Sequence, residues 1–258
     1  MYYIVQEKLF QEENYDNLIL TLDRFQLPYE IVDLIYFVEE FYFKTERKDV
    51  FPFGAVKMSR LSRNYGWYPG SQLNENHDYL VYSKYYKDNL LNYDSEIINF
   101  GDMDFFHKEL FFARPTEETK SFTGKVFDMG QWEEFREDKL KQDSLQPSKI
   151  LNKDTKIQIS SVKKIQKEIR FWIVKGEIVT ASQYRLGGRY CLDEFVEEPA
   201  YDFVNKMTKL FQLNETFVMD VCLVNDEYKI VECGCTNSAG FYRADMQKLI
   251  MSLEYAFS

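Results

Sequence analysis

Two carboxylates, Asp220 and Glu232, each lie within a short apolar segment of the chain. The segments 217–224 and 228–233 are rich in residues that suit a pleated sheet, and the polar residues 225–227 favour a turn, so the pattern predicts a β-hairpin. With a three-residue loop, Asp220 faces Glu232 across the hairpin, where two carboxylates repel each other. A divalent cation would remove this repulsion, and such oxygen donors suit Mg²⁺. The alternative is a hairpin with two rim carboxylates and no metal.

A small polar loop, residues 234–240, follows Glu232 and contains Asn237 together with two glycines. Backbone amides in a glycine-containing loop can approach a phosphate group or a metal ion closely. The loop is therefore a second candidate for ligand binding, with Asn237 as its amide side chain. The alternative is an ordinary connecting loop.

Arg170 lies in the middle of a strongly apolar segment, residues 169–174, that is predicted to form a strand. An arginine buried in such a strand needs a partner for its charge. One interpretation is an ion pair with Glu168 or another carboxylate. The other is a guanidinium fork held in a fixed position to bind a phosphate group.

Cationic residues also surround a predicted turn in the middle of the chain. The segment 110–113 is predicted to be a strand that ends at Arg114, and Lys120 and Lys125 flank the turn that follows. A strand, a glycine-containing turn and nearby cations can close over a triphosphate. The segment lacks the glycine spacing of a P-loop, and a solvated hairpin is the alternative.

Composition limits the classes of function. The formal net charge of −10 and the pI near 4.9 exclude a general polyanion-binding surface, although not a local basic pocket. The four cysteines lack zinc-site spacing, which favours reduced thiols in an intracellular protein. We find neither a signal peptide pattern nor an apolar run long enough to span a bilayer. His77 and His107 are interpreted as structural or exposed residues.

The elements that must position these residues follow from the hydrophobic pattern. Residues 2–5 and 29–35 are predicted strands on either side of a helix at 14–25, which indicates a small α/β lobe with a parallel strand pair. Residues 200–211 and 243–257 have helical spacing of apolar side chains. The predicted fold class is therefore α+β.

Taken in order, these motifs resemble the ATP-grasp superfamily. The resemblance rests on a cationic hairpin, then EIRFWIV with its return strand TASQYR, then MD before a hairpin and VECGCTNSAGFY after it. More narrowly, the sequence is similar to a clade, frequent in phages and bacteria, in which arginines stand where lysines usually hold the phosphates. The resemblance implies an N-terminal α/β pre-ATP-grasp lobe at 1–80, a central lobe at 81–155 and a C-terminal lobe with the metal site at 156–258, the last two clamping ATP.

The resemblance also implies roles for individual residues. Asp220 and Glu232 match the metal-binding acidic positions, and Asn237 would be the amide ligand, although the usual asparagine position is occupied by Gly234. Arg170 and Arg185 match positions that face the γ-phosphate or the acyl phosphate. The implied phosphate- and nucleotide-binding residues are Arg114, Lys120, Lys125, Gln158, Ile159, Ser160, Ser161 and Glu168.

The function implied by the resemblance is an ATP-dependent ligase that joins a carboxylate to an amine or another nucleophile through an acyl phosphate, with ATP and Mg²⁺ as cofactors. Its substrates would be small molecules, peptides or proteins, and its location cytoplasmic, in the host cell if a phage encodes it. One alternative is a metal-dependent nuclease that uses Asp220, Glu227 and Lys229, a loose D…E-x-K pattern. Another is a nucleotide-binding module without turnover. The sequence predicts no oligomeric state.

Overall fold

The computed structural model describes residues 1–7, 13–34, 43–102, 109–119, 121–145 and 151–257. Lys120 and His107 lie outside the described residues. The chain forms two compact units, the first comprising Met1–His77 with Ile165–Ser258, and the second Asp78–Lys164. Within the described ranges, no helix combines the length and the apolar character that crossing a membrane requires.

Twelve strands and six α-helices make up the described elements. The strands are β1 (Tyr2–Gln6), β2 (Tyr29–Val32), β3 (Val50–Phe53), β4 (Glu96–Asn99), β5 (Phe111–Pro115), β6 (Lys125–Phe127), β7 (Lys156–Ser161), β8 (Lys167–Val174), β9 (Glu177–Leu186), β10 (Arg189–Asp193), β11 (Thr216–Val224) and β12 (Glu227–Gly234). The helices are α1 (Glu13–Arg24), α2 (Val56–Ser62), α3 (Tyr79–Tyr86), α4 (Met129–Leu145), α5 (Glu198–Leu210) and α6 (Met246–Phe257).

The first unit begins with a three-stranded parallel sheet in the order β2-β1-β3. The apolar residues of β1 are buried, and α1 buries Leu18 and Leu22 in the same apolar cluster, because these residues lie four apart on one helix face. This arrangement confirms the predicted strand, helix and parallel strand pair.

The first unit also contains a five-stranded antiparallel sheet in the order β10-β9-β8-β11-β12. Side chains on β8 alternate between its two faces. Phe171 contacts Tyr201 of α5 on one face, whereas Trp172 on the other face belongs to the apolar cluster that includes α6. Arg170 and Trp172 are two residues apart, so they share this second face, which changes from apolar to charged along the strand.

The second unit is a four-stranded antiparallel sheet in the order β4-β7-β5-β6. Trp132 of α4 is fully buried against aromatic rings from the sheet, including Phe111 and Phe127. The strand β7 belongs to this unit, whereas the predicted boundary at residue 156 assigned it to the C-terminal lobe. The division into three lobes at 1–80, 81–155 and 156–258 stays a prediction.

Candidate functional site

The hairpin of β11 and β12 places Asp220 directly opposite Glu232, as predicted. The route to this register differs from the prediction, because the loop has two residues, Asn225-Asp226, both with positive φ (49° and 62°). This shorter loop is followed by a register shift that leaves Val231 as an extra residue between the partners of Asp220 and Val221. A β-bulge of this kind moves the register by one residue, so it restores the predicted facing pair.

Arg170 lies opposite Asp220 on the other side of β11. Its side chain forms a two-pronged contact, with Nε donating to Asp220 Oδ1 at 2.7 Å and Nη2 donating to Oδ2 at 2.8 Å. The third nitrogen, Nη1, donates to the Gly240 carbonyl oxygen at 3.3 Å. The side chains of Arg170 and Asp220 are only 11% and 3% exposed, so this is a nearly buried ion pair. The predicted partner was Glu168 or another carboxylate, and that carboxylate is Asp220.

Two aromatic rings enclose the Arg170 guanidinium. Its Cζ lies 4.9 Å from the ring centroid of Tyr242 and 5.9 Å from that of Tyr184. The two rings are stacked on each other, with centroids 4.7 Å apart and an interplanar angle of 13°. A cation held over aromatic faces is attracted by their electron-rich surfaces, which adds to the ion pair in fixing Arg170.

Glu168 connects this ion pair to Arg185. The Tyr184 hydroxyl lies 3.0 Å from Glu168 Oε2 and 3.2 Å from Asp220 Oδ2, and Arg185 Nη1 lies 3.5 Å from Glu168 Oε1. Arg185 is half exposed, whereas Glu168 is buried. These groups and the carboxylate opposite Asp220 are called the Arg170 cluster, which consists of Glu168, Arg170, Tyr184, Arg185, Asp220 and Glu232.

Sequence reasoning missed Tyr184 and Tyr242. The available signal was the position of Tyr184 directly before Arg185 in the return strand, and that of Tyr242 two residues after Gly240 in the polar loop. A tyrosine in a strand is most simply interpreted as a packing residue, so its hydroxyl became informative only once its two carboxylate partners were placed.

Burial dominates the electrostatics of the cluster. Burial raises the pKa of Asp220 above its ordinary value, Arg170 opposes this rise, and the Glu232 carboxylate adds to it. Burial also raises the pKa of Glu168, against the lowering by Arg185 and Tyr184. Burial alone would lower the pKa of Arg170, but the Asp220 carboxylate holds it well above its ordinary value, so the guanidinium stays charged.

The cluster fits a small divalent cation in its donor chemistry. Three carboxylates face two guanidinium groups, which leaves one formal negative charge in excess, and carboxylate oxygens are the donors that Mg²⁺ prefers. Arg170 supplies positive charge at Asp220 in this structure. No group of three histidine, cysteine or acidic residues within the described ranges is arranged as a complete metal site, so other oxygen donors would have to complete the coordination.

Asn237 is held in place by the fold. Its Nδ2 donates to the carbonyl oxygens of Pro52 and Gly70 at 2.7 and 3.2 Å, and its Oδ1 accepts from the Gln72 backbone N–H at 2.7 Å and from Cys235 Sγ at 3.2 Å. The residue is 1% exposed. A metal ion could use Asn237 Oδ1 only if these hydrogen bonds were broken, so the structure gives Asn237 a role in joining the loop to β3.

The predicted nucleotide-binding residues other than Glu168 lie in the second unit. Arg114 of β5 is opposite Gln158 of β7, and Lys125 of β6 is opposite Ala113. Lys125 is exposed, and its Nζ lies 4.5 Å from the centroid of the Phe127 ring. The sheet of the second unit therefore brings Arg114 and Lys125 onto adjacent strands, while Lys120 lies outside the described residues.

The segment 158–161 combines structural and uncommitted polar groups. Gln158 Nε2 donates to the Asn92 carbonyl oxygen at 3.2 Å and to Ser95 Oγ at 3.0 Å, which ties β7 to the segment before β4. Ile159 is buried in the apolar cluster around Trp132, and Ser161 is half buried. The buried Ser160 Oγ has no hydrogen-bond partner among the described residues.

The residues of the nuclease alternative do not come together. Glu227 is exposed and opposite Val224 at the turn of the hairpin, and its carboxylate pairs with Lys229 Nζ at 3.2 Å. Asp220 lies four residues before Val224 along β11, which places it about 13 Å from the turn at the rise of an extended strand. The turn pair therefore serves the hairpin end and lies apart from the Arg170 cluster.

Comparison with known proteins agrees with this architecture. A family model described as an ATP-grasp domain, family 3 of its clade, matches residues 54–253. No curated protein matches the sequence. Solved structures with a similar fold include D-cycloserine synthetase DcsG (TM-score 0.65, 10% identity, 98% of each chain covered). Others are a D-alanine–D-alanine ligase from Bacillus anthracis (0.59, 12%, covering 99% of this chain and 97% of that one) and the ATP-grasp ligase PsnB with a minimal precursor (0.55, 11%, covering 99% and 98%).

At these identities the structural likeness shows the fold alone. The α+β fold predicted from the sequence is confirmed as the ATP-grasp fold by the family match and by these neighbours.

Proposed function

Because the chain belongs to this ATP-grasp family, we propose that it is an ATP-dependent ligase. It joins a carboxylate to an amine or another nucleophile and converts ATP to ADP and phosphate. The observation that carries this proposal is the Arg170 fork, which is nearly buried and oriented by two stacked rings beside the facing pair of Asp220 and Glu232. This is the arrangement that phosphoryl transfer requires, with fixed positive charge next to acidic metal ligands.

The proposed chemistry proceeds through an acyl phosphate. The substrate carboxylate attacks the γ-phosphorus of ATP, ADP leaves, and the nucleophile then attacks the acyl carbon and releases phosphate. This route needs no side-chain nucleophile, so charge neutralisation and orientation are what the chain must supply. Arg170 and Arg185 are assigned to the transferring phosphoryl group. A bound Mg²⁺ would neutralise phosphate charge at Asp220 and Glu232.

The Arg170–Asp220 ion pair has a consequence for this assignment. Arg170 Nε and Nη2 are occupied by the carboxylate that is proposed to bind the metal. A cation at Asp220 would compete for the same oxygens, and the two N–H groups that it released would be free to bind an anion. In this proposal Arg170 therefore exchanges a carboxylate for a phosphoryl group when the ligands bind.

Nucleotide binding is assigned to residues of the second unit together with Glu168. Lys125 and Arg114 lie on adjacent strands and carry the charge for the phosphates. The proposed nucleotide-binding set, unchanged from the sequence prediction, is Arg114, Lys120, Lys125, Gln158, Ile159, Ser160, Ser161 and Glu168. Asn237 is not carried into the proposed metal set, because its amide is fully engaged by the fold.

The substrates are assigned only by class. Among the structural neighbours, D-alanine–D-alanine ligase is named for a small substrate, and PsnB is bound to a precursor peptide. Carboxylates and amines of small molecules and of peptides or proteins are therefore both in scope. All four cysteines of this chain are free thiols, which agrees with the proposed intracellular location.

The proposal is tested with ATP and Mg²⁺ alone and then with a substrate search. Mg·ATP is expected to raise the melting temperature, and incubation with extracts of small molecules or peptides should give ATP-dependent mass changes with phosphate release. The matched control is the Asp220→Asn variant. Stabilisation by Mg·ATP without any product in every substrate pool would indicate a binding module, and cleavage of DNA or RNA without ATP would indicate a nuclease.

A further inference from the structure

The Tyr184 hydroxyl lies within hydrogen-bonding distance of two carboxylates but has a single proton to donate. It is 3.0 Å from Glu168 Oε2 and 3.2 Å from Asp220 Oδ2. We propose that Tyr184 is a positioning residue that holds Asp220 and Glu168 in one fixed arrangement for Mg·ATP binding. This inference rests on the proposed function, since it concerns the same acidic residues.

A backbone irregularity directs Tyr184 to this position. Glu168 is opposite Arg185, whereas the next residue, Ile169, is opposite Gln183, so Tyr184 is an extra residue on β9 with no partner on β8. A β-bulge of this kind re-aims a side chain relative to regular strand geometry. The strand β8 lies between β9 and β11, so the re-aimed hydroxyl reaches past the neighbouring strand to Asp220 on β11.

The ring of Tyr184 is fixed as firmly as its hydroxyl. It stacks on the Tyr242 ring, and Tyr242 has a positive φ of 50°, a conformation that is unfavourable for a residue with a large side chain. Such a conformation persists only where the surrounding structure enforces it, and it is typical of functional sites. The side chain of Phe241, directly before Tyr242, is 1% exposed and anchors this segment in the core.

The hydrogen bonds divide the two oxygens of Asp220 between different partners. Oδ2 accepts from both Arg170 Nη2 and the Tyr184 hydroxyl, whereas Oδ1 accepts only from Arg170 Nε. When Arg170 leaves Asp220, Tyr184 still holds Oδ2, and Oδ1 is left open for a cation. The same hydroxyl restrains Glu168 through Oε2. Burial and the carboxylates of Asp220 and Glu168 raise the pKa of Tyr184 well above its ordinary value, so the hydroxyl keeps its proton.

The test is the Tyr184→Phe variant, which removes one oxygen atom and keeps the ring. The Mg²⁺ concentration that gives half of the ATP-dependent rise in melting temperature is expected to increase about tenfold, the ratio for one lost hydrogen bond to a charged group. ATP turnover at saturating Mg²⁺ should stay within about threefold of the wild type, because the hydroxyl positions metal ligands and takes no part in phosphoryl transfer.

Tyr3→Phe is the matched control. Tyr3 is a buried tyrosine of the same unit whose hydroxyl donates to Glu254 Oε1 at 2.7 Å, outside the Arg170 cluster. This variant loses a comparable hydrogen bond and should lose comparable stability, yet keep the wild-type Mg²⁺ requirement. If Tyr184→Phe also keeps the wild-type Mg²⁺ requirement, Tyr184 is a packing residue and the inference is wrong.

A second variant keeps the inference testable if Tyr184→Phe does not fold. Tyr242→Leu removes the stacked ring and leaves the Tyr184 hydroxyl and both carboxylates, so the Mg²⁺ requirement should rise by about threefold, less than for the direct loss. An unchanged requirement in this variant would overturn the inference. A wild-type protein that Mg·ATP does not stabilise at all would overturn the proposed function first, which separates the two failures.

Discussion

Replacing Arg170 with lysine tests whether its buried fork serves catalysis or only the fold. Lysine keeps the positive charge but cannot reproduce the paired contacts to Asp220 at 2.7 and 2.8 Å. Loss of one charge-assisted hydrogen bond lowers the free energy of unfolding by about 2 kcal/mol. A loss of this size lowers the melting temperature by about 5 °C in a domain of this length.

The catalytic effect is expected to be larger than the effect on stability. If Arg170 holds the transferring phosphoryl group, the loss of its two-pronged contact lowers turnover at least about a hundredfold, while ATP affinity changes only a few-fold. Unfolding cannot imitate this result, because a protein with about 5 kcal/mol or more of stability that loses about 2 kcal/mol stays about 99% folded at 25 °C. Turnover per folded molecule therefore separates the two roles.

The assay measures melting temperature, ATP affinity and conversion of ATP to ADP for Arg170→Lys, Arg47→Lys and the wild type. Arg47 makes the same type of fork with Asp49, but at an exposed position of the first sheet. Arg47→Lys should change none of the three quantities appreciably. Wild-type turnover in a destabilised Arg170→Lys protein would refute the catalytic assignment and leave Arg170 as a structural residue.

Three further outcomes are expected. Asp220→Asn should abolish the Mg²⁺ requirement for ATP binding and also lower the metal-free melting temperature, because it breaks a buried ion pair, at a cost of about 3 kcal/mol; urea unfolding with and without Mg²⁺ measures both. Lys125→Met should weaken ATP binding about tenfold at nearly unchanged stability, as measured by calorimetry. Burial lowers the pKa of His77 from 6.5 to about 4, so the unfolded chain takes up this proton first as the pH falls. The wild type should therefore lose about 3 kcal/mol between pH 6.5 and 4 that His77→Gln does not lose.

The expected loss of stability in Asp220→Asn reverses what the sequence suggests. From sequence, Asp220 is a carboxylate repelled by Glu232, so removing its charge should leave the metal-free protein equally or more stable. In the structure, Arg170 already neutralises Asp220. Loss of the carboxylate therefore leaves a buried guanidinium without its main partner, which outweighs the relief of repulsion.

The facing of Asp220 and Glu232 was predictable because side chains alternate strictly along a strand and one face of the hairpin is apolar. The turn was mispredicted by one residue, although Asn225-Asp226 is a sequence suited to a two-residue turn with positive φ. The bulge at Val231 compensates for this difference. Nothing in the local sequence marks the bulge, so the correct pair was reached through two local errors that cancel.

The partner of Arg170 was beyond prediction because strand order is a property of the whole chain. The strands β8 and β11 are neighbours in the sheet, yet Arg170 and Asp220 are fifty residues apart. Tyr184 was missed for a related reason, since a bulge on β9 directs its hydroxyl past β8. The amide of Asn237 was predicted as a ligand from its loop, but contacts with β3 and with the Gln72 backbone N–H occupy it.

The two interpretations of Arg170 drawn from the sequence, an ion pair or a phosphate fork, are compatible in one molecule. A guanidinium in an almost buried site must be paired before ligands bind, since an unpaired charge there would destabilise the fold. Pairing it with the carboxylate that will bind the cation satisfies this need before ligands arrive. The cation and the phosphoryl group then replace the two halves of the same ion pair, so neither charge is left buried alone at any stage. This argument ties the function of Arg170 to that of Asp220, and a change at either residue should alter binding of both ligands.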